Sequence, residues 1–298
     1  MIIASAFFAT AAIVGSADDS RTTTQQSLRW RDQPKEIWIG DILSSDDRLN
    51  YNGYVLQKRH RKVRYDYPRQ AHERSSWIDV TYALLKRNGK RLMKFDKDIY
   101  FDMGNDTRFG LISILGGRTK QAVISQDVPR TGTQWIISLS THPRVIFDGP
   151  RWAVGREGDD MGLIDLNGDG VYEISVMITD FYDLQDKMSM SQIPLPMIVF
   201  KYDSLRRRYV PANSLFQNYA FKGMTTATNL GTEDQLQHRS IVLRTTLTLI
   251  YAGKRKDGWR YFNQSYKLQD KEEIRKRVKA ILVRQPVYKF IYNRGKYK

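Results

Sequence analysis

The chain has no cysteine among its 298 residues. Without thiols it has no disulfide framework, no thiolate nucleophile and no cysteine zinc site. Histidine is also scarce, and the four histidines are widely separated in the sequence: His60, His72, His142 and His238. Their spacing lacks the short intervals of zinc ligands, so the sequence predicts neither a cysteine nor a histidine metal centre.

Several common enzyme motifs are missing as well. The sequence contains no Gly-x-Ser-x-Gly nucleophile elbow and no glycine-rich loop of the kinds that cradle phosphates. One enzymatic alternative stays open, a secreted carbohydrate-active hydrolase that uses paired carboxylates. Its candidate acidic residues, which would have to meet in a cleft, are Asp148, Asp159, Asp160 and Asp180.

Acidic residues are the minority, with 32 Asp and Glu against 48 Lys and Arg, for a net charge of +16. Between residues 254 and 298, fifteen basic residues face only four acidic ones. This surplus offers a third alternative, binding of anionic polymers or surfaces through the basic C-terminal region. A second basic run, residues 58–69, is interpreted as a solvated loop or edge strand, with polyanion binding as its alternative.

Long apolar runs occur only at the N-terminus. Residues 1–17 contain an apolar stretch that ends in Gly15-Ser16-Ala17, although no Lys or Arg precedes it. This segment resembles a secretory signal peptide, which predicts a secreted or periplasmic protein that begins near Asp18. Residues 18–34 are polar and are predicted to be a disordered leader. For residues 1–17 the alternative is a buried N-terminal helix or a membrane anchor, although the apolar run is short for a span of about 20 residues. No other segment is long and apolar enough to span a bilayer.

Short apolar runs separated by turn signals dominate residues 35–212. One such run, residues 77–85, is followed by the hairpin signal Asn88-Gly89, and another covers residues 197–202. The pattern predicts a mainly β fold, an antiparallel domain that is either partly propeller-like or sandwich-like.

The strongest local signal is the 165–173 loop, with the sequence Asp-Leu-Asn-Gly-Asp-Gly-Val-Tyr-Glu. Oxygen-bearing side chains alternate at Asp165, Asn167 and Asp169, so they can converge on a hard cation when the loop curls. Gly170 permits the sharp turn that this requires. The flanking residues have the pattern of strands rather than helices. The alternative is a tight Asn-Gly-Asp-Gly hairpin turn that binds nothing.

This stretch resembles the calcium loop of FG-GAP (integrin α-chain type) repeats and related bacterial repeats, Asp-x-(Asp/Asn)-x-Asp-Gly-x-x-(Asp/Glu) between two strands. The resemblance covers about ten of the 298 residues. It implies calcium as the cofactor, with ligands from five positions: Asp165, Asn167, Asp169, the main-chain carbonyl of Val171, and Glu173. It differs from an EF-hand, since Val176 stands where that loop has its bidentate Glu.

Residues 213–298 change to helical periodicity. We expect three helices here. The first covers residues 233–251 with Thr232 as its cap, the second contains Trp259, and the third begins with a capping box at Asp270 and ends before Pro286.

The sequence therefore predicts an exported, non-enzymatic protein with a calcium-stabilised β domain. Such a protein would serve as a binding or structural module of the cell envelope or extracellular space, with an unidentified protein or glycan as ligand. The hydrolase and the polyanion-binding protein are the alternatives.

Overall fold

The computed structural model describes residues 36–65, 76–97, 105–128, 131–155, 161–222 and 235–293. The predicted signal peptide and leader lie outside these residues. The described chain forms three antiparallel sheets followed by C-terminal helices. This confirms the predicted mainly β fold with a helical C-terminal region.

Each sheet contains four strands that follow one another in sequence and pair with their neighbours. The first four-stranded sheet is β2 (Arg48–Tyr51), β3 (Tyr54–Tyr65), β4 (Ser76–Arg87) and β5 (Lys90–Phe95). The second is β6 (Asp106–Ile112), β7 (Gln121–Val128), β8 (Thr131–Ser138) and β9 (Arg144–Asp148). The third is β10 (Gly162–Ile164), β11 (Glu173–Met177), β12 (Met197–Asp203) and β13 (Arg208–Pro211), and β1 (Glu36–Trp38) pairs with β10 to make it five-stranded.

Asn-Gly turns set the register of two hairpins. Asn52-Gly53 joins β2 to β3 with φ angles of 50° and 76°, and Asn88-Gly89 joins β4 to β5 with 49° and 76°. Positive φ at both central positions is the geometry that matches the right-handed twist of paired strands. The hairpin predicted at Asn88-Gly89 is confirmed.

The two four-stranded sheets share an apolar core. Leu56 and Leu85 come from one sheet and meet Phe109 and Ile124 of the other, and all four side chains are buried. Side chains of a strand alternate between its two faces, so each sheet can bury one apolar face against the other. This arrangement is consistent with the sandwich-like alternative.

The basic run at residues 58–69 lies partly in a paired strand and begins with a buried lysine. Its described part, residues 58–65, forms the second half of β3 and pairs with β4 along its whole length. Lys58 is only 7% exposed, and its ammonium lies 3.1 Å from the Asp106 carboxylate. The interpretation of this run as a solvated loop is therefore wrong for its first residue. The remainder has an edge character, because β2 pairs only with residues 54–57 of β3.

Seven α-helices occur in the described residues: α1 (Ile39–Ile42), α2 (Gly149–Trp152), α3 (Gln217–Ala220), α4 (Gln235–Tyr251), α5 (Arg255–Ser265), α6 (Lys271–Arg284) and α7 (Pro286–Tyr292). The three predicted C-terminal helices correspond to α4, α5 and α6, and the predicted cap Thr232 lies outside the described residues. None of the described helices is both long enough and apolar enough to cross a membrane.

The structure corrects the C-terminal prediction at Pro286, which begins a fourth helix instead of only ending the third. Proline is tolerated in a first turn because the N–H that it lacks would have no partner within the helix. The Gln285 side chain caps α7 by accepting a hydrogen bond from Val287 N at 2.7 Å.

The expected capping box at Asp270 is also wrong, because this side chain makes no capping hydrogen bond. Its carboxylate instead accepts hydrogen bonds from the Arg239 guanidinium at 2.7 Å and from the Tyr266 hydroxyl at 2.9 Å. The charged guanidinium is the stronger donor, and it comes from a helix 31 residues earlier.

The main apolar core joins the five-stranded sheet to the helices. Trp152 of α2 illustrates the connection, since its ring packs 5.6 Å from that of Phe200 in β12 and 5.5 Å from that of Phe290 in α7. The helices therefore cover the sheet that carries the 165–173 loop.

Candidate metal centre

The 165–173 loop connects β10 to β11 at one end of the five-stranded sheet. Eight residues lie between the two strands, compared with two in each of the hairpins that have an Asn-Gly turn. Gly168 and Gly170 have φ angles of 74° and 78°, which strain any residue with a Cβ atom. The loop is thus longer than the tight hairpin turn of the alternative interpretation.

The Asp165 carboxylate organises the first part of the loop. Its Oδ1 accepts a hydrogen bond from Gly168 N at 2.8 Å, and its Oδ2 accepts one from Gly170 N at 3.1 Å. Each carboxylate oxygen has two lone pairs, so a main-chain hydrogen bond leaves capacity for a cation.

Asn167 and Asp169 continue the same pattern. Asn167 Oδ1 accepts from Asp169 N at 3.1 Å, and Asp169 Oδ1 accepts from Val171 N at 2.8 Å. The Asn167 amide also donates to Asp169 Oδ2 at 2.9 Å. The alternating side chains therefore hold the loop through the same oxygens that the resemblance assigns to calcium.

Glu173 differs from the other acidic residues of the loop because it is only 1% exposed. Its Oε2 accepts a hydrogen bond from Leu166 N at 3.0 Å, whereas its Oε1 is buried with no hydrogen-bond partner among the described residues. Burial raises the pKa of Glu173, the Leu166 N–H and Lys201 oppose the shift, and the charges of Asp169 and Asp165 add to it. An ionised Glu173 is therefore costly without a further positive charge.

Hydrogen bonds connect the loop to two neighbouring elements, the connection after β6 and the strand β13. Tyr172 N donates to Ile114 O at 2.8 Å, which ties the loop to the connection after β6. The Tyr209 hydroxyl of β13 donates to Tyr172 O, also at 2.8 Å. A Cβ atom at Gly116 would lie 3.2 Å from Gly170 O, so the same connection also approaches the loop closely.

The structure brings the predicted side chains into one loop but does not gather them around a point. Within the described parts of the chain, no three or more His, Cys, Asp or Glu side chains are placed together around a common point. Calcium ligation by this loop would therefore need the acidic side chains to move closer together, with Asn167 and the Val171 carbonyl completing the set. The five ligands stay a prediction.

Two of the carboxylates considered for a hydrolase, Asp148 and Asp180, lie in the described part of the chain. Asp148 caps α2 by accepting from Arg151 N at 3.2 Å. Burial raises the pKa of Asp180 and lowers that of Lys97, and both Asp180 and Asp148 oppose the shift of Lys97. The two carboxylates thus lie near one partly buried ammonium, whereas Asp159 and Asp160 are outside the described residues. No sequence spacing indicated this cluster.

Several basic residues of the C-terminal helices are engaged in ion pairs. Arg277 of α6 contacts Asp186 at 2.8 Å, Arg284 pairs with Asp183, and Arg275 lies 3.4 Å from Glu272. The basic surplus of this region is therefore partly neutralised by acidic residues, some of them from the connection between β11 and β12.

Comparison with protein-family models, curated proteins and solved structures gives no match for this chain.

Proposed function

We propose that the chain is an exported, non-enzymatic protein whose β domain is stabilised by calcium bound at the 165–173 loop. The supporting observation is the buried carboxylate of Glu173, one oxygen of which has no partner among the described residues. A divalent cation at this position would favour the ionised carboxylate and offset the cost of burying it.

Calcium suits the available donors better than magnesium does. Carboxylate, amide and carbonyl oxygens are hard ligands, and calcium accepts irregular arrangements of six to eight of them, whereas magnesium requires a near-ideal octahedron. With a neutral Asn in the set, we expect a dissociation constant of roughly 10⁻⁴ to 10⁻³ M, as in extracellular calcium modules. That range agrees with the proposed export.

The loop's position indicates what calcium would stabilise. The loop contacts the connection after β6 through Ile114 and contacts β13 through Tyr209. An ion that fixes the loop would hold β10 and β11 together and steady the contact between the second and third sheets. The stabilised domain would present a surface to a protein or glycan ligand in the cell envelope or extracellular space.

Direct calcium titration by calorimetry tests the proposal. We expect binding to the wild type, no binding to Asp169→Ala, and unchanged or tighter binding to Asn167→Asp, which adds a negative charge. The matched control is Asp203→Ala, since it removes an acidic residue from the neighbouring turn and should leave calcium binding intact. A wild type that binds no calcium at millimolar concentration would contradict the proposal.

Export has its own test. The N-terminus of protein recovered outside the producing cell should begin near Asp18, after the small residues Gly15-Ser16-Ala17. Intact Met1 on soluble protein from inside the cell would contradict export without bearing on calcium.

A further inference from the structure

The 165–173 loop shares its end of the five-stranded sheet with a second feature, the 203–208 turn between β12 and β13. Ile174 pairs with Phe200, and the β12–β13 hairpin continues beyond that pair through Asp203 and Arg208. At ~3.3 Å per residue, the turn projects roughly 10 Å past that pair. It therefore stands at the extremity of the sheet beside the loop.

Leu205 lies in this turn and is 95% exposed. Single exposed leucines are common and need no explanation by themselves. Here, however, three arginines follow directly: Arg206, Arg207 and Arg208. An apolar side chain at a tip with cations behind it matches the interface of an anionic bilayer, where acyl chains lie beneath a layer of phosphates.

The arginines of the turn lie close to one another and outnumber the carboxylates that could neutralise them. Burial and the positive charges of Arg151 and Arg206 lower the pKa of Arg208. The Nε of Arg208 is buried without a hydrogen-bond partner among the described residues. Asp203 pairs with Arg206 in the same turn. A cluster with more guanidinium groups than carboxylates favours an anionic ligand.

The two features together give the sheet end a charge that calcium would change. Four acidic and five basic side chains stand on the loop, the turn, the adjoining end of β12 and the neighbouring α2: Asp165, Asp169, Glu173, Asp203, Arg151, Lys201, Arg206, Arg207 and Arg208. One calcium ion adds two positive charges to this set. The same surface is therefore weakly positive without calcium and more attractive to anions with it.

We propose that this sheet end docks on anionic lipid bilayers, with Leu205 at the acyl boundary and the arginines on lipid phosphates, and that calcium in the 165–173 loop strengthens docking. This proposal rests on the proposed calcium site.

Vesicle sedimentation of the full chain tests the proposal. The vesicles contain phosphatidylcholine alone or equal amounts of phosphatidylcholine and phosphatidylserine, each with calcium or with chelator. We expect partition onto the phosphatidylserine vesicles in calcium, little onto phosphatidylcholine, and a large loss in chelator. Each cation near an anionic surface raises the partition coefficient about fivefold, so Arg207→Asn should lower it by that factor. Asn is chosen because residue 207 has a φ of 51°, which Asn tolerates.

Leu205→Ser should also lower the partition coefficient, whereas Leu215→Ser is the matched control. Leu215 is 70% exposed and follows β13 towards the other end of the sheet, so its replacement should change nothing. Asp169→Ala should bind the phosphatidylserine vesicles equally in calcium and in chelator, which separates loop-bound calcium from calcium adsorbed on lipid. Melting temperatures confirm that each variant is folded.

Two results would overturn the docking proposal while leaving the calcium site intact: a wild type that binds calcium in calorimetry but not the vesicles, or equal losses for Leu205→Ser and Leu215→Ser. Vesicle binding that is the same in calcium and in chelator, by a protein that binds no calcium, would overturn both proposals.

Discussion

Two connections at the same end of the five-stranded sheet differ in the partners of their acidic residues. In the 203–208 turn, Asp203 accepts a hydrogen bond from Arg206 N at 2.9 Å and pairs with the guanidinium of the same residue. Although burial works against it, these hydrogen bonds leave the pKa of Asp203 below its usual value. In the 165–173 loop, no residue is basic, and the pKa of Glu173 is raised.

The difference is the basis for proposing that calcium stabilises the loop. The turn contains its own cation, so its carboxylate is stable without help. The loop satisfies Asp165 and Asp169 with main-chain N–H groups but leaves one buried oxygen of Glu173 without a described partner. A bound cation would give the Glu173 carboxylate the positive partner that Arg206 gives to Asp203 in the turn.

The largest expected effect comes from the backbone. Gly170→Ala places a Cβ atom at a φ of 78°, and we expect it to lower the free energy of unfolding by about 1 to 2 kcal/mol. Arg207→Gly makes the opposite change in the turn, where the φ of 51° favours glycine, and should raise it by up to about 1 kcal/mol. Denaturant unfolding measures both, and a stabilising Gly170→Ala would mean that residue 170 does not have a positive φ.

Removing the turn's carboxylate should have a smaller effect that does not depend on calcium. Asp203→Ala loses a main-chain hydrogen bond and an ion pair, which together contribute about 1 kcal/mol at an exposed site. The loss should be the same in calcium and in chelator. A loss seen only in calcium would show that the turn and the loop act as one site.

Lowering the pH should change the stability contributed by the two connections in opposite directions. Because the folded-state pKa of Glu173 lies above the ordinary 4.5, its folded carboxyl takes up a proton first, and stability from this group rises as the pH falls towards 4.5. The pKa of Asp203 is lowered, so its contribution is present above the ordinary 3.8 and is lost as the pH falls through the lowered value.

Glu173→Gln isolates the first contribution. In chelator, this variant should melt above the wild type at neutral pH, and the gap should close as the pH approaches 4.5. A gap that stayed constant with pH would show that Glu173 is not the titrating group.

The smallest expected effect concerns the C-terminal helices, where many cations already have partners. Lys276 has no described partner, whereas Arg277 is paired with Asp186. Lys276→Glu should therefore weaken retention on heparin slightly without changing the melting temperature. Arg277→Glu should lower the melting temperature as well, because it places like charges together. Unchanged retention for Lys276→Glu would leave the helix charge with a role in solubility only.

The parts of the fold that depend on neighbouring residues could be predicted from the sequence. Apolar runs predicted β4 and β12, and Asn88-Gly89 predicted a hairpin with the observed turn geometry. Side-chain spacing placed Asp165, Asn167 and Asp169 in one loop between two strands. In each case the information lies within about ten residues, the range over which turn chemistry and periodicity act.

Contacts between distant residues could not be predicted in this way. Asp270 matched a capping box but binds Arg239, and the partner of Arg277 is 91 residues away. The sequence places Lys58 in a basic run that is expected to be solvated, whereas in the structure its ammonium is buried and pairs with Asp106 of the next sheet. The burial of Glu173 likewise depends on how β11 packs. The sequence therefore could not predict that one oxygen of this carboxylate is buried without a hydrogen-bond partner among the described residues.

Thermal unfolding of the wild type and Asp169→Ala, each in calcium, magnesium and chelator, shows whether calcium stabilises the β domain through the 165–173 loop. At about ten times the dissociation constant, calcium should stabilise the wild type by roughly 1.4 kcal/mol, a rise of a few degrees in melting temperature. Magnesium should do less, and Asp169→Ala should not respond to calcium. Identical melting temperatures of the wild type in calcium and in chelator would mean that calcium does not stabilise the domain and that the 165–173 loop is an ordinary connection.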